Sequence, residues 1–98
     1  MPDPSFIDSH AHLCDPAFDE DRDEAVRRFR EAGGAAVVCI GESVAAAERA
    51  GKLAAKYPGF VFATAGVHPH DAAEFDPDRD SAAVRDLVGR GAVAIGEC

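Results

Sequence analysis

The sequence predicts an α/β fold built on a parallel sheet, with elements in the order βαβαβαβ. Short apolar runs alternate with stretches of helical periodicity along the whole chain. One of those runs, Ala36-Val37-Val38-Cys39-Ile40, is apolar at every position, as suits a strand covered on both faces. All four histidines lie directly after strand candidates, at the strand ends where parallel α/β folds gather ligands.

The elements follow in order. Phe6 to His10 reads as a short first strand. The acidic segment Asp15–Glu24 leads into a helix ending near Ala32, with Arg27, Arg28 and Arg30 near its end, as the helix dipole favours. Val26 and Phe29 supply its apolar stripe, and Gly33-Gly34 stop it. Ala36–Ile40 is the second strand. Ser43 is a suitable N-cap for an Ala-rich helix to about Tyr57, which Pro58-Gly59 breaks. Phe60 to Ala65 is the third strand. A loop with Pro69 and Pro77 then leads to a helix over about Asp80–Gly89, with Val84, Leu87 and Val88 on one side. Ala92 to Gly96 is the fourth strand.

Such alternation implies parallel strands joined by right-handed crossovers. A doubly wound sheet and a (β/α)₈ barrel both begin this way. A barrel takes about 250 residues. On that measure residues 1–98 form about half of one, a partial domain interrupted after its fourth strand. A complete, small four-stranded α/β domain is the alternative.

Composition excludes several classes. Apolar residues are 47% and charged residues 29% of the chain, a globular rather than disordered balance. No segment approaches the roughly 20 apolar residues of a membrane span. The opening Met-Pro-Asp-Pro-Ser-Phe has neither the basic nor the apolar region of a secretory signal. Cys14, Cys39 and Cys98 are an odd, widely spaced set, which argues against a disulfide scaffold and for a reducing, cytoplasmic setting. With 18 Asp+Glu against 10 Lys+Arg, the net charge is −8. Bulk charge therefore cannot attract nucleic acid, and any such chemistry needs cations to bridge to phosphate.

The candidate chemistry sits at strand ends. In extended chain, residues two apart share a face, so the spacing Asp8-x-His10-x-His12 lets two imidazoles converge on one cation. Asp8 can orient a histidine or join the ligands. Glu97, from another strand end, can hold the same ion or bridge two. Mixed nitrogen and oxygen ligation suits Zn²⁺, Mn²⁺ or a similar ion. His68 is a further candidate in its Pro-containing loop, and His70 a weaker one. The acidic sets Asp19–Glu24 and Asp71, Glu74, Asp76, Asp78, Asp80 read as solvated, and Cys14 as a small buried side chain. Glu42 falls at the mouth of the second strand without an assigned role. No phosphate-cradling glycine loop occurs, and no Ser/His/Asp set can be assembled.

Three segments resemble the TatD family of metal-dependent hydrolases. Phe6-Ile7-Asp8-Ser9-His10-Ala11-His12-Leu13 is similar to that family's opening. Ala65-Gly66-Val67-His68-Pro69-His70 is similar to its Gly-Ile/Val-His-Pro-His segment, and Ala94-Ile95-Gly96-Glu97-Cys98 to the start of its Gly-Glu-x-Gly-Leu-Asp segment. The resemblance implies the N-terminal half of an amidohydrolase-type (β/α)₈ TIM barrel. It implies one or two divalent ions (Zn, Mn or Mg) and phosphodiester hydrolysis, usually described as deoxyribonuclease activity. His10 and His12 would hold the first ion, Glu97 would bridge to a second and act in catalysis, and His68 would lie near the substrate phosphate. Asp8 matches a motif position, as a ligand or beside one. The expected partner is DNA or another nucleic acid, met through metal-bridged phosphate, with no membrane and no indicated protein partner. The family's further ligands, two histidines and an aspartate on later strands, have no counterparts in these residues. The chain by itself is thus expected to bind metal weakly and to be inactive. Amide, lactone or ester hydrolysis by the same centre is an alternative, since fold does not choose chemistry. A non-catalytic truncated product is another.

Overall fold

The computed structural model describes residues 5–97. Its strands are β1 (Phe6–Ala11), β2 (Gly34–Cys39), β3 (Val61–Ala65) and β4 (Ala94–Ile95). Its helices are α1 (Arg22–Glu31), α2 (Val44–Lys56) and α3 (Pro77–Gly89), with short 3₁₀ turns at Pro16–Phe18 and Pro69–Glu74. The sequence order βαβαβαβ is the order observed.

The sheet distinguishes between the two parallel architectures. Its strands lie side by side in the order β1-β2-β3-β4 and every pairing is parallel. A doubly wound sheet reverses direction of growth at a switch point. Here each strand is laid beside the one before it, and the four curl into a half-barrel. The register aligns Ala11 with Cys39, Cys39 with Ala63 and Ala65 with Ile95, so all four carboxyl ends open on the same rim.

The core lies between the sheet and the helices. Val26 of α1, Val37 and Cys39 of β2 and Val61 of β3 are the largest fully buried side chains. Ala50 and Leu53 of α2 pack on them, with Cys14 from the loop after β1. Ala47, Ala65 and Leu87 form a second cluster that seats α3. Each buried valine contributes ~1.5–3 kcal/mol. Cys14 is buried, as expected from its size.

Boundaries depart from expectation where a cap or a ring sets them. The Ser43 hydroxyl accepts the Ala46 N–H at 3.1 Å and starts α2 as expected. Helix α3, by contrast, begins at Pro77 rather than near Asp80. The Asp76 carboxylate accepts the N–H groups of Asp78 and Arg79, and Pro77 occupies the first turn, where its missing N–H costs nothing. Asp80 therefore does not belong to a solvated loop. It is buried, accepts the Asp76 N–H at 2.8 Å and meets the Arg79 guanidinium at 2.9 Å. Arg79 first, and then that N–H, hold its carboxyl below the usual range.

Asp23 is likewise not merely solvated. Lys56 Nζ lies 2.7 Å from its carboxylate and the Tyr57 hydroxyl also donates to it, which ties α1 to the end of α2. Strand β2 starts at Gly34, earlier than expected, because the Phe29 ring packs where a side chain would stand: a Cβ there would come within 2.2 Å of the ring. Strand β4 is shorter than expected, at Ala94–Ile95.

Candidate functional site

Three of the four rim loops meet at one carboxylate. The His10 Nε2, at the end of β1, lies 3.2 Å from Oε1 of Glu97, which follows β4. The His68 Nε2, in the loop after β3, lies 3.3 Å from Oε2 of the same side chain. The fourth loop contributes Glu42, after β2, whose Oε1 is 2.6 Å from Nδ1 of His12. The rings of His10 and His12 stand edge to face with centroids 5.1 Å apart. A continuous file of side chains results: His68, Glu97, His10, His12, Glu42. All of them reach solvent, His68 least.

The main chain holds this file in place. Asp8 accepts the backbone N–H of His10 at 3.0 Å, so it shapes the strand at the histidine rather than touching an imidazole. The His68 Nδ1 accepts the His70 N–H at 3.0 Å. In the neutral ring the proton then sits on Nε2, facing Glu97. The His68 N–H donates to the Glu42 carbonyl at 2.6 Å. Thr64, buried in β3, accepts the Gly41 N–H at 3.0 Å and donates to the Gly96 carbonyl at 2.8 Å. One hydroxyl thus links the residues that immediately precede Glu42 and Glu97.

Two glycines permit the approach. A Cβ on Gly41 would lie 2.4 Å from the Thr64 carbonyl oxygen, and one on Gly66 would lie 2.7 Å from the Gly96 carbonyl carbon. Both collisions are with backbone, which cannot swing away as a flexible side chain would.

The residues singled out from sequence are distributed as follows. His10 and Glu97 meet, and His68 joins them. His12 turns to Glu42, and Asp8 supports His10 through the backbone. His70 stands beside His68, ring centroids 4.6 Å apart. The contacts of Glu42 and Thr64 are additions to the sequence reading. The position of Gly41-Glu42 at a strand end is a signal for the first. A lone hydroxyl within an apolar run is a faint one for the second.

The donors suit a divalent cation. Imidazole nitrogens and carboxylate oxygens are the ligands of Zn²⁺ and Mn²⁺. Two donors sharing a tetrahedral ion at about 2.0–2.1 Å stand about 3.3 Å from each other. The contact of Glu97 with His10, at 3.2 Å, is close to that separation, whereas the 3.3 Å contact with His68 is that of an N–H donor. Among the described residues, no three His, Cys, Asp or Glu side chains are already gathered around a single point.

The family profile described as "TatD related DNase" matches residues 7–98. The chain belongs to this family. TatD-family proteins are TIM barrels, and the four-stranded arc corresponds to the N-terminal half of that barrel. Among curated relatives, "3'-5' ssDNA/RNA exonuclease TatD" of Dickeya dadantii (strain 3937) is 42% identical over 94 residues, covering 95% of this chain and 35% of the relative. The protein of that name from Cronobacter sakazakii (strain ATCC BAA-894) is 41% identical with the same coverage. The one from Erwinia billingiae (strain Eb661) is 35% identical over 93 residues, covering 95% of this chain and 36% of the relative. The chain thus spans about a third of the length of these relatives.

Proposed function

We propose that this chain supplies the first half of the active site of a metal-dependent nuclease that hydrolyses phosphodiester bonds in single-stranded DNA or RNA. The observation that carries the reading is the Glu97 carboxylate 3.2 Å from the His10 Nε2, close to the separation of donors that share an ion. The activity for which the relatives are named supplies the substrate class.

His10, His12 and Glu97 are the residues that would hold one or two divalent ions, Zn²⁺, Mn²⁺ or Mg²⁺. A bound ion would supply Lewis-acid polarisation of the phosphoryl group and neutralise part of its charge. Asp8 keeps the backbone of His10 in register for that task. Glu97 presents Oε1 to His10 and Oε2 to His68, and would be the residue to bridge two ions were both bound. His68 carries its proton on Nε2 and so offers a hydrogen-bond donor to a phosphate oxygen entering beside Glu97. The chain's net charge of −8 repels a polyanion, so substrate is held at the rim through cations rather than through the protein surface. A reducing, cytoplasmic setting agrees with the free, buried Cys14 and Cys39. No described helix is long and apolar enough to cross a membrane.

The test uses end-labelled single-stranded oligonucleotides, with the protein prepared both as this chain and over its full open reading frame. Nucleotide release is expected in the longer product, stopped by a chelator, restored by a divalent metal, and lost in His10→Ala and Glu97→Gln. Chelator-resistant cleavage, or full activity in both variants, would overturn the reading. Turnover of amide or lactone substrates without nucleotide release would assign the centre to a different hydrolase class.

A further inference from the structure

We propose that Glu42 is the positioning residue for His12. Its carboxylate takes the Nδ1 proton of the ring as a hydrogen bond and leaves Nε2 as the nitrogen with a lone pair for a divalent cation. The inference rests on the metal-dependent reading above, but it concerns a residue that reading does not use.

The separation of 2.6 Å between Glu42 Oε1 and His12 Nδ1 is that of a short, charge-assisted contact. A neutral imidazole has one N–H and one lone pair. Where the carboxylate stands behind the ring and is not itself a ligand, the nitrogen facing it keeps the proton, and the other becomes the donor to metal. His12 thus differs from His10, which turns Nε2 itself toward an oxygen, that of Glu97.

Glu42 is placed to act in this way because its main chain is held on both sides. The Gly41 N–H is bound by Thr64, the Glu42 carbonyl accepts the His68 N–H, and the Ser43 hydroxyl caps α2. Three consecutive residues are therefore anchored, and the carboxylate leaves from a backbone with little freedom to move. Strand β2 lies between β1 and β3, so Glu42 stands between the two histidine segments. Its backbone holds the His68 loop and its side chain holds His12. Arg49 lines the same small recess as Glu42 and His12, and its guanidinium donates to the Cys14 carbonyl at 3.1 Å.

The experiment uses the protein prepared over its full open reading frame and compares the parent with Glu42→Ala, Glu42→Gln and His10→Ala. Metal-free protein labelled with ¹⁵N-histidine is read by two-bond ¹H–¹⁵N correlation, and Zn²⁺ binding is then measured by calorimetry at fixed pH. The His12 ring is expected to carry its proton on Nδ1 in the parent and in Glu42→Gln, whose amide oxygen still accepts. The preference is expected to be lost in Glu42→Ala. Zn²⁺ affinity should fall about 10–100-fold in Glu42→Ala, the usual cost of losing a carboxylate behind a ligating histidine, and less in Glu42→Gln.

An unchanged His12 tautomer, or equal affinity, in Glu42→Ala would overturn the proposal. A Glu42→Gln variant as damaged as Glu42→Ala would overturn it too, since that result makes Glu42 a direct ligand. If the parent binds Zn²⁺ and loses it in His10→Ala while Glu42→Ala binds normally, the positioning role alone fails. If the parent binds no Zn²⁺, the metal reading fails and takes Glu42's role toward the cation with it. Glu42→Gln keeps size and acceptor, so the comparison survives if the alanine variant does not fold.

Discussion

Thr64 donates its hydroxyl to the Gly96 carbonyl at 2.8 Å and so joins β3 to the residue just before Glu97. The same oxygen accepts the Gly41 N–H just before Glu42. A single buried side chain therefore sets the approach of both site carboxylates.

Thr64→Val tests this directly. Valine matches the shape but can neither donate nor accept, leaving the Gly41 N–H and the Gly96 carbonyl without their partner. A buried group left unpaired costs ~1–3 kcal/mol. A lower urea midpoint is expected in Thr64→Val, together with weaker Zn²⁺ binding. Thr64→Ser, which keeps the hydroxyl, should restore most of the binding.

Two glycine substitutions should have opposite signs. Gly66→Ala would drive a methyl to 2.7 Å from the Gly96 carbonyl carbon, parting β3 from β4 and displacing Glu97. Loss of both stability and metal binding is the expected outcome. Gly51 lies inside α2, and a methyl added there would meet nothing within 4 Å. Gly51→Ala should stabilise by ~1 kcal/mol through helix propensity and a less free unfolded chain. Thermal and urea unfolding of the pair measure both.

Truncating the core has a defined cost. Leu53 of α2 packs among Val26, Val37 and Val61. Leu53→Ala should cost ~2–5 kcal/mol, from lost transfer energy plus the cavity left behind. The denaturant midpoint should move while the slope stays constant.

Stability should also fall at both ends of the pH scale. Burial pushes the Cys39 thiol up to about 11 from an ordinary 9.0. Between those values the unfolded chain releases a proton that the folded chain retains, so stability falls as pH rises through this window. Cys39→Ala should flatten that part of the profile. At the acid end, Arg79 and the Asp76 N–H hold Asp80 below its ordinary value of 3.8. Its contribution is present above that value and is lost as pH falls through the lower folded one. Urea midpoints followed from acid to alkaline pH should therefore trace a plateau with a shoulder on each side.

Much of this protein is legible in its sequence because the relevant physics is local. Ser43 caps a helix through a neighbour three residues on, and apolar runs such as Ala36–Ile40 declare buried strands wherever they occur. The placement of histidines and Glu97 after those runs likewise marks the rim where they gather. Asp76 and Asp80 are harder to read, because a run of acids hides a cap even though that contact is also local.

The tertiary structure alone decided what depends on strand order and register. The alternation of elements fits two architectures, and only the pairing β1-β2-β3-β4 selects the barrel arc. That pairing sets Glu97 between His10 and His68, turns His12 to Glu42, and lets Thr64 reach both Gly41 and Gly96. These partners are far apart in sequence, so no short-range pattern encodes their meeting. It arises when packing against α1, α2 and α3 aligns the carboxyl ends of four strands on one rim.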